Sequence, residues 1–281
     1  MKSLPRRFGP NAAASRVGVL LAGLVIALVF FGTGTRPAGA QDATLPGGVQ
    51  VLFTPYLWLA GVHSTILTPI DRVPQVDSDV GAFQLLGHLN AVPFLGTIEI
   101  HDGPFSLYGG AIHLPVGTNI TTRNVLFSGG NAGLIADAGT ATLLYRVFDK
   151  PGQFDKPGQF ADLGVGFRAW EFSTNVTLNP GILPGQSFNR SASWVDPLIA
   201  GRYHYDFGNG FGLTAYGDVG GFGVGAHSDW QLLGTIDYTA TTWIDLHLGY
   251  RTLNFNYTAS GGDLGFNVHM RGPVFAATFR F

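Results

Sequence analysis

The sequence contains no cysteine and very few charged residues. Asp, Glu, Lys and Arg together make up only 12% of the 281 residues. Without cysteine, neither disulfide bonds nor metal-thiolate sites can hold the fold, so backbone hydrogen bonds and packing must do so. Low charge combined with 41 Gly and 22 Phe is unusual for a surface in water. This composition favours a sheet that is apolar on one face and crowded on the other.

Long apolar runs are also missing, with one exception near the N-terminus. Val17–Phe31 is an apolar run of 15 residues that follows a basic region and precedes Ala38-Gly39-Ala40, a small-residue cleavage site. We interpret residues 1–40 as a cleaved signal peptide and residues 41–281 as one mature domain. The alternative is a membrane anchor helix, but the run is shorter than the ~20 apolar residues that a helix needs to span a bilayer.

Removal of residues 1–40 makes the chain acidic. Five of the 16 basic residues and none of the 18 acidic ones lie there, which leaves 11 basic and 18 acidic residues and a net charge of −7. A nucleic-acid partner needs a basic face, so this class of partner is not expected.

Alternation of two kinds of side chain recurs in ten segments of the chain. They lie near residues 50–60, 94–101, 105–111, 141–147, 163–169, 195–205, 213–219, 231–238, 244–251 and 265–281. A period of two is typical of strands with two different environments. Four short turns, near residues 101–104, 149–157, 206–210 and 239–242, alternate with five other links near 64–90, 115–132, 176–192, 223–229 and 258–264.

Short turns at one end and mostly longer loops at the other are typical of an outer-membrane barrel. We therefore predict an all-β fold, a single antiparallel up-and-down transmembrane barrel of about ten strands with both termini at the same end. The short link at 223–229 leaves eight or twelve strands open. A soluble β-sandwich is the alternative, but it leaves the low charge unexplained.

The last strand carries the strongest alternation. Phe275, Phe279 and Phe281 share one face, while Thr278 and Arg280 share the other. A strand that faces lipid on one side accounts for an apolar face ending in an aromatic residue.

The opposite faces of the strands carry acidic and basic residues together. We predict an inward-facing polar network in the lumen, of which the main members are Glu99, Arg168, Asp196, Arg202, Asp218, Asp245, His247 and Arg251. Charges on a barrel strand must point inward, because Arg or Lys facing lipid at the midplane costs roughly 2–4 kcal/mol. Mutual ion pairing is the simplest interpretation; a path for ions or protons and a ligand site are the alternatives.

No enzyme motif is present, and we predict no catalytic residues, no metal and no cofactor. A hydrolase at the loop rim is kept as an alternative. Its candidate residues are His63, Asp77, Asp79, His88, His227, Asp229 and Asp263. Nothing in the linear sequence brings them together.

Two local features stand out. Asp149–Phe154 and Asp155–Phe160 are the same hexapeptide in tandem, which we interpret as a neutral duplication at a tolerant turn. Ser78–Asn90 has apolar residues about three apart and is predicted to form either a short helix, capping or plugging the barrel, or the start of the second strand.

The C-terminal half resembles a known family. The runs Trp194–Tyr203 and Gly212–Gly225, with Leu248–Arg251 and the opening Pro55–Gly61, are similar to a widespread and largely uncharacterised family of Gram-negative outer-membrane β-barrel proteins. The resemblance implies outer-membrane lipid and the barrel assembly machinery as partners, with Phe279 and Phe281 in the C-terminal assembly signal. It implies no substrate and no soluble partner.

A narrow or closed barrel with a structural or surface-interaction role is the function that these features favour. A barrel of about eight strands is filled by side chains, whereas an aqueous channel needs roughly 16 strands. A small porin-like channel for ions or small solutes is the alternative.

Processing of the exported protein tests the interpretation of residues 1–40. The mature chain purified from outer membranes is expected to begin at Gln41, as measured by intact mass and N-terminal sequencing. A mass corresponding to all 281 residues would support the anchor helix instead.

Overall fold

Twelve β-strands and one short helix make up the part of the chain that the computed structural model describes, residues 48–70, 73–89, 93–120, 127–152, 156–259 and 265–281. The predicted signal peptide and Asp263 lie outside these residues. The elements are β1 (Gln50–Trp58), β2 (Gly61–Ile70), β3 (Val73–Val80), α1 (Ala82–Gly87), β4 (Phe94–Asp102), β5 (Phe105–Ile120), β6 (Phe127–Lys150), β7 (Gly158–Pro180), β8 (Gln186–Asp206), β9 (Phe211–Gly220), β10 (Ser228–Thr241), β11 (Ile244–Thr258) and β12 (Gly265–Arg280).

The strands form one closed antiparallel barrel. Each strand from β4 to β11 pairs with the next one along the chain. β1 closes the barrel by pairing with both β4 and β12. β1 and β2 run consecutively along β12 and form one wall strand, interrupted at Leu59 and Ala60. β3 and β4 are likewise the two parts of the second wall strand. The twelve strands thus make a barrel of ten wall strands, which confirms the predicted fold class.

The two ends of the barrel differ. The connections after β4, β6, β8 and β10 lie at one end, together with the start of β1 and the end of β12, and we call this the turn end. The opposite end is the loop end. The short loop between β9 and β10 lies at the loop end, as predicted. The turn from β4 to β5 is closed by Gly103, whose φ of +56° favours glycine.

Most of the predicted loops at the loop end are shorter than expected. Residues 115–132, 176–192 and 64–90 are largely strand, because β5 to β8 and the β2–β3 hairpin continue beyond the predicted strands. Gly, Ser, Thr and Asn are frequent in them, above all in residues 115–132, and these residue types give little contrast in hydropathy between the two faces. The alternation therefore disappears from the sequence before the strand ends.

The helix predicted within Ser78–Asn90 is α1. It interrupts the second wall strand and does not plug the lumen: Gly61 of β2 lies on one side of it, and the Gly117 amide of β5 donates to the His88 carbonyl on the other, at 2.7 Å. Phe83 of α1 is 81% exposed. No helix among the described residues is long and apolar enough to cross a membrane.

An apolar belt surrounds the barrel. Its outward side chains include Leu107, Leu143, Leu163, Val165, Ile199, Leu232, Ile236, Leu246, Leu248 and Phe275, all of them exposed. Aromatic side chains collect toward the turn end, where the rings of Phe211 and Tyr238 lie 4.9 Å apart and those of Phe105 and Tyr145 lie 5.2 Å apart. An apolar band bordered by aromatics is typical of a barrel surface in contact with lipid.

The belt ends abruptly toward the loop end. Across β5, β6, β7 and β8, one outward row reads Ala111, Gly139, Ala169 and Val195, and the next reads His113, Asp137, Glu171 and Ser193. The His113 and Asp137 side chains are hydrogen-bonded at 2.6 Å. The change from apolar to ionisable side chains within one row marks the upper limit of the hydrocarbon.

Glycine is required where neighbouring strands approach most closely. A Cβ atom on Gly272 of β12 would lie 1.9 Å from the Leu59 carbonyl oxygen, at the break between β1 and β2. A Cβ atom on Gly139 of β6 would meet nothing within 4 Å.

Gly272→Ala is therefore expected to destabilise the barrel by about 1–3 kcal/mol or to prevent its closure, because backbone atoms must move to relieve the overlap. Unfolding in urea, followed by heat-dependent gel mobility, measures the effect. Gly139→Ala is the matched control and should unfold as the wild type does. Equal free energies of unfolding for the two variants would show that closure of the barrel between β12 and the β1–β2 wall strand does not depend on Gly272.

Candidate functional site: the filled lumen

The lumen near the turn end holds an ion-paired cluster on Arg202. Its guanidinium contacts a Glu99 carboxylate oxygen at 2.7 Å, across the barrel, and an Asp162 carboxylate oxygen at 2.6 Å on the adjacent strand. Arg146 donates to the other Asp162 oxygen at 2.9 Å. Asp162 is buried between these two cations. The cluster therefore ties β4, β6, β7 and β8 together through buried charge-assisted hydrogen bonds.

A second polar cluster lies beside it, on the wall opposite β6. Asp237 accepts from His247 at 2.7 Å and lies 3.6 Å from Nδ1 of His204. Asp245 pairs with Arg280 of the last strand at 2.5 Å. The cross-strand contacts fix the register of β9 to β12 from inside the barrel.

The middle of the lumen is built on Arg168, which is 1% exposed. Its two terminal nitrogens donate to Asp218 at 2.8 Å and to Asp229 at 2.5 Å. Gln231 bridges this group to a second cation, because its amide nitrogen donates to Asp218 and its amide oxygen accepts from Arg251. Two arginines and two aspartates thus neutralise one another where the barrel crosses the membrane.

Tyrosine rings separate the middle layer from the turn end. Tyr108 and Tyr216 face each other across the lumen with ring centroids 5.5 Å apart. The Tyr216 hydroxyl donates to Asp218 at 3.1 Å, and the Tyr56 hydroxyl accepts from Arg251 at 2.7 Å. The two rings pack with Leu144, Ala200 and Leu233, while the hydroxyls of Tyr216 and Tyr56 belong to the polar network.

The loop-end half of the lumen is apolar. It is filled by an aromatic plug, which we define as Trp170, Phe172, Trp194, Phe255 and Tyr257. Centroid distances are 4.6 Å for Trp170 and Phe255, 5.6 Å for Phe172 and Trp194, and 4.0 Å for Trp194 and Tyr257. Phe255 is 2% exposed and Trp170 is 3% exposed. This is a packed hydrophobic core inside a membrane barrel.

Two carboxylates anchor the aromatic plug to the layer below. The Trp170 indole donates to Asp229 and the Trp194 indole donates to Asp196, both at 2.8 Å. Asp196 also accepts from the Ala226 amide at 2.6 Å, so the loop from β9 to β10 is drawn into the barrel mouth, where Ala226 is fully buried.

Comparisons with known proteins show likeness of architecture only. No family model matches the chain, and no curated protein matches it. The outer membrane protease OmpT from Escherichia coli superimposes with a TM-score of 0.44 at 9% identity, over 86% of this chain and 100% of that one. Ail, the attachment invasion locus protein of Yersinia pestis, gives 0.31 at 12% over 83% and 98%, and the Pseudomonas putida toluene transporter TodX gives 0.35 at 8% over 84% and 90%. Superpositions at these scores and identities carry no information about activity.

The ten wall strands close into a barrel, and their outer face carries an apolar belt. These two features identify the class of protein. This protein is an outer-membrane β-barrel. The loop end of such a barrel is extracellular and the turn end periplasmic. The closer resemblance suggested by residues 194–281 stays a prediction, since no family model matches.

All eight residues predicted for the lumen network lie inside this outer-membrane barrel, but not in one group. Glu99 and Arg202 belong to the turn-end cluster, whereas Arg168, Asp218 and Arg251 belong to the middle layer. Asp245 and His247 lie on the opposite wall near the turn end, and Asp196 supports the aromatic plug. Phe279 and Phe281 lie on the outer face at the turn end, and their predicted role in assembly is untested.

The candidate residues of a rim hydrolase whose side chains the structure describes, His63, Asp79, His88, His227 and Asp229, do not converge; Asp263 and the side chain of Asp77 lie outside the described part. Asp229 was expected at the rim but is buried in the middle layer, because Arg168 and Trp170 bind its carboxylate. His63 and Asp79 lie 4.0 Å apart on the outer face, and His88 is exposed on α1's C-terminal side. Among the described side chains, no three His, Cys, Asp or Glu residues could hold a metal ion.

The sequence analysis missed the aromatic plug. Trp170, Phe172, Trp194, Phe255 and Tyr257 lie just beyond or at the ends of the predicted strands. Their signal was nevertheless present, because each is in phase with the inward face of its strand. Extending the alternation by two or three residues would have placed aromatic rings in the lumen.

Arg202→Ala is expected to destabilise the barrel strongly, because it leaves Glu99 buried without its cation. Breaking one partner of a buried ion pair costs about 3–5 kcal/mol. Urea unfolding of the refolded protein in detergent measures this change. The exposed Arg190 of β8 supplies the control, and Arg190→Ala should leave the unfolding free energy unchanged.

The double variant Glu99→Ala/Arg202→Ala identifies the cause. It should recover part of the lost stability, since the stranded carboxylate is gone while Asp162 keeps its bond to Arg146. A rise in conductance with unchanged stability in Arg202→Ala would contradict a structural role for the pair.

Proposed function

We propose that this outer-membrane barrel is a closed, non-conducting protein that acts through its extracellular surface rather than through its lumen. The observation that supports this best is the filling of the lumen in consecutive layers. Ion pairs occupy the turn end, two arginines with their carboxylates occupy the middle, and the aromatic plug occupies the loop end. The carboxylates Asp162, Asp218 and Asp229 in the two polar layers are buried.

Each layer opposes the passage of ions for a different reason. The two polar layers consist of charges that are already hydrogen-bonded within the barrel, so an entering ion would have to replace a short hydrogen bond to a buried partner. In the aromatic plug the indole N–H groups of Trp170 and Trp194 are already bound to Asp229 and Asp196, and the ring faces cannot replace the hydration of an ion. Tyr108 and Tyr216 occupy the space between the two polar layers.

The extracellular surface of the barrel is correspondingly large. β6 has 24 residues and β7 has 23, whereas about 9–11 residues cross a bilayer. Above the row of His113, Asp137 and Glu171, the outward faces of β7 and β8 are polar and uncharged: Asn175 donates to Asn189 at 2.6 Å, and Thr177 and Ser187 are 3.3 Å apart. Hydrophilic strands raised from the membrane are suited to contact other molecules at the cell surface.

Single-channel recording tests the closed lumen. Refolded residues 41–281 are expected to give no conductance steps in a planar bilayer, after folding has been verified by heat-dependent gel mobility. A porin of 16 strands, refolded and inserted by the same procedure, is the positive control. Steady, ion-selective steps from the folded protein would contradict the proposal and favour the porin-like channel.

A further inference from the structure

The wall of the barrel is uneven at the loop end. β8 pairs with β7 along its whole length, from Gln186 to Asp206, but pairs with β9 only from Leu198 to Asp206. β9 ends at Gly220, and its neighbour β10 begins at Ser228. Within the described residues, the side of β8 that faces β9 therefore has no partner strand above Pro197.

We call the resulting gap beside β8, above the end of β9, the notch. The short loop between β9 and β10 closes only the bottom of the notch. The Gly221 amide donates to the Pro197 carbonyl at 3.2 Å. Gly225 reaches one position further, since a Cβ atom on it would lie 2.6 Å from the Val195 carbonyl oxygen. The loop then turns back, and the His227 amide donates to the Asn256 carbonyl of β11 at 2.7 Å. Ser187–Ser193 consequently forms the free edge of β8.

Backbone geometry shows which groups this free edge presents. In an antiparallel strand, the N–H and C=O groups of one residue point to the same side, and alternate residues point to opposite sides. Because the Pro197 carbonyl bonds to Gly221 on the β9 side, the odd-numbered residues direct their backbone groups toward the notch. The pairing of β8 with β7 is continuous and has no bulge over this stretch, so the alternation of backbone directions continues unchanged along β8. The groups belong to Ser187, Asn189, Ser191 and Ser193.

The position of the free edge makes it accessible. It lies above the row of Val195, which is the last apolar outward residue of β8, and hence outside the hydrocarbon. Ser187, Asn189, Arg190 and Ser193 are exposed. An open edge of this kind is a template for the addition of another strand, and proteins that do not use such an edge usually block it with proline, a bulge or charges. Ser187–Ser193 contains no proline and no bulge, and it carries a single charge, Arg190.

The one charge on the free edge has no acidic partner among the described residues. The Arg190 guanidinium donates only to the carbonyl of the preceding residue, Asn189, at 3.3 Å. On the same face of β8, Arg190 is followed by Ala192 and by Trp194 of the aromatic plug. A strand added to this edge would therefore gain a charge-assisted contact if it placed a carboxylate beside Arg190, and an apolar contact if it placed an aliphatic side chain beside Ala192.

We propose that the free edge of β8 binds an extended, acidic peptide segment of another protein, which adds to the barrel wall as a strand in the notch. The inference rests on the proposed surface role, and it names the class of partner. A second copy of this chain is a poorer occupant, because antiparallel pairing of two such edges about their centres brings the two Arg190 side chains together, and like charges directly opposite each other are destabilising.

Selection from a random peptide library tests the proposal. Seven-residue peptides displayed on phage are selected on refolded residues 41–281 in detergent, and the enriched peptides are synthesised for measurement of Kd. They are expected to alternate small polar with apolar or acidic residues and to carry a carboxylate near the centre. Arg190→Glu should weaken their binding at least ten-fold.

Ser191 gives a matched pair of variants. Ser191→Pro removes one N–H from the free edge while leaving the bonds to β7, since Pro197 of the same strand already occupies a position in the same phase. Binding should weaken at least ten-fold in Ser191→Pro and stay unchanged in Ser191→Ala, with both variants folded by gel mobility.

Three results would overturn the proposal. They are the absence of enriched peptides, enriched peptides whose Kd is insensitive to Ser191→Pro, and a dimer of the wild type that Ser191→Pro dissociates. The last would assign the edge to a second copy of the chain. The silent bilayer recording is independent of all three, so a failed selection from a silent barrel would reject the peptide partner and leave the closed lumen intact.

Discussion

The need to satisfy backbone hydrogen bonds in hydrocarbon governs this structure. A lipid-exposed N–H or C=O group without a partner costs several kcal/mol, so a sheet inside a membrane has to close on itself. Closure is achieved where the first wall strand meets the last. β1 and β2 pair consecutively with β12, and Gly272 lets the strands approach at the break between them. Ten wall strands give a lumen too narrow to remain empty of side chains.

A narrow lumen then dictates the chemistry of the inner face. Where a wall strand crosses the hydrocarbon, each of its charges must find hydrogen-bonding partners within the barrel, because the outer face there is lipid. Arg202 and Arg168 solve this with two carboxylates each, and Gln231 joins Arg251 to the same network. Toward the loop end the inner face changes to aromatic rings. Asp196 and Asp229 connect the two kinds of filling, since each carboxylate faces an indole N–H and a donor of the polar layer or the loop.

The parts of this arrangement that obey a period of two could be predicted from the sequence. The alternation in Ile244–Arg251 and in the last strand is strong because lipid and lumen demand opposite side chains, and the wall strands, the turn end and the inward charges follow from it. Which acid meets which base could not be predicted, because Arg202 and Glu99 are 103 residues apart and meet only through the curvature of the wall. The loop-end extensions of β5 to β8 were missed because their sequence shows no clear alternation. At Val116, Gly117 and Ala132, and around Asn175 and Asn189, both faces lie outside the hydrocarbon, so neither is required to be apolar.

The same boundary explains how one edge of the barrel can stay open. Below the row of Val195, an unpaired strand would leave backbone groups in lipid, and β9 accordingly pairs with β8 there without interruption. Above that row, water can satisfy the same groups, so β9 is free to end at Gly220 while β8 continues to Gln186. The lost partner of β8 costs little in water, and the stacked rings of Trp194 and Tyr257 occupy the lumen behind the notch. A barrel that is sealed inside and open along one extracellular edge is therefore physically consistent. The requirement for full pairing ends at the membrane surface, where an incoming peptide strand could replace water.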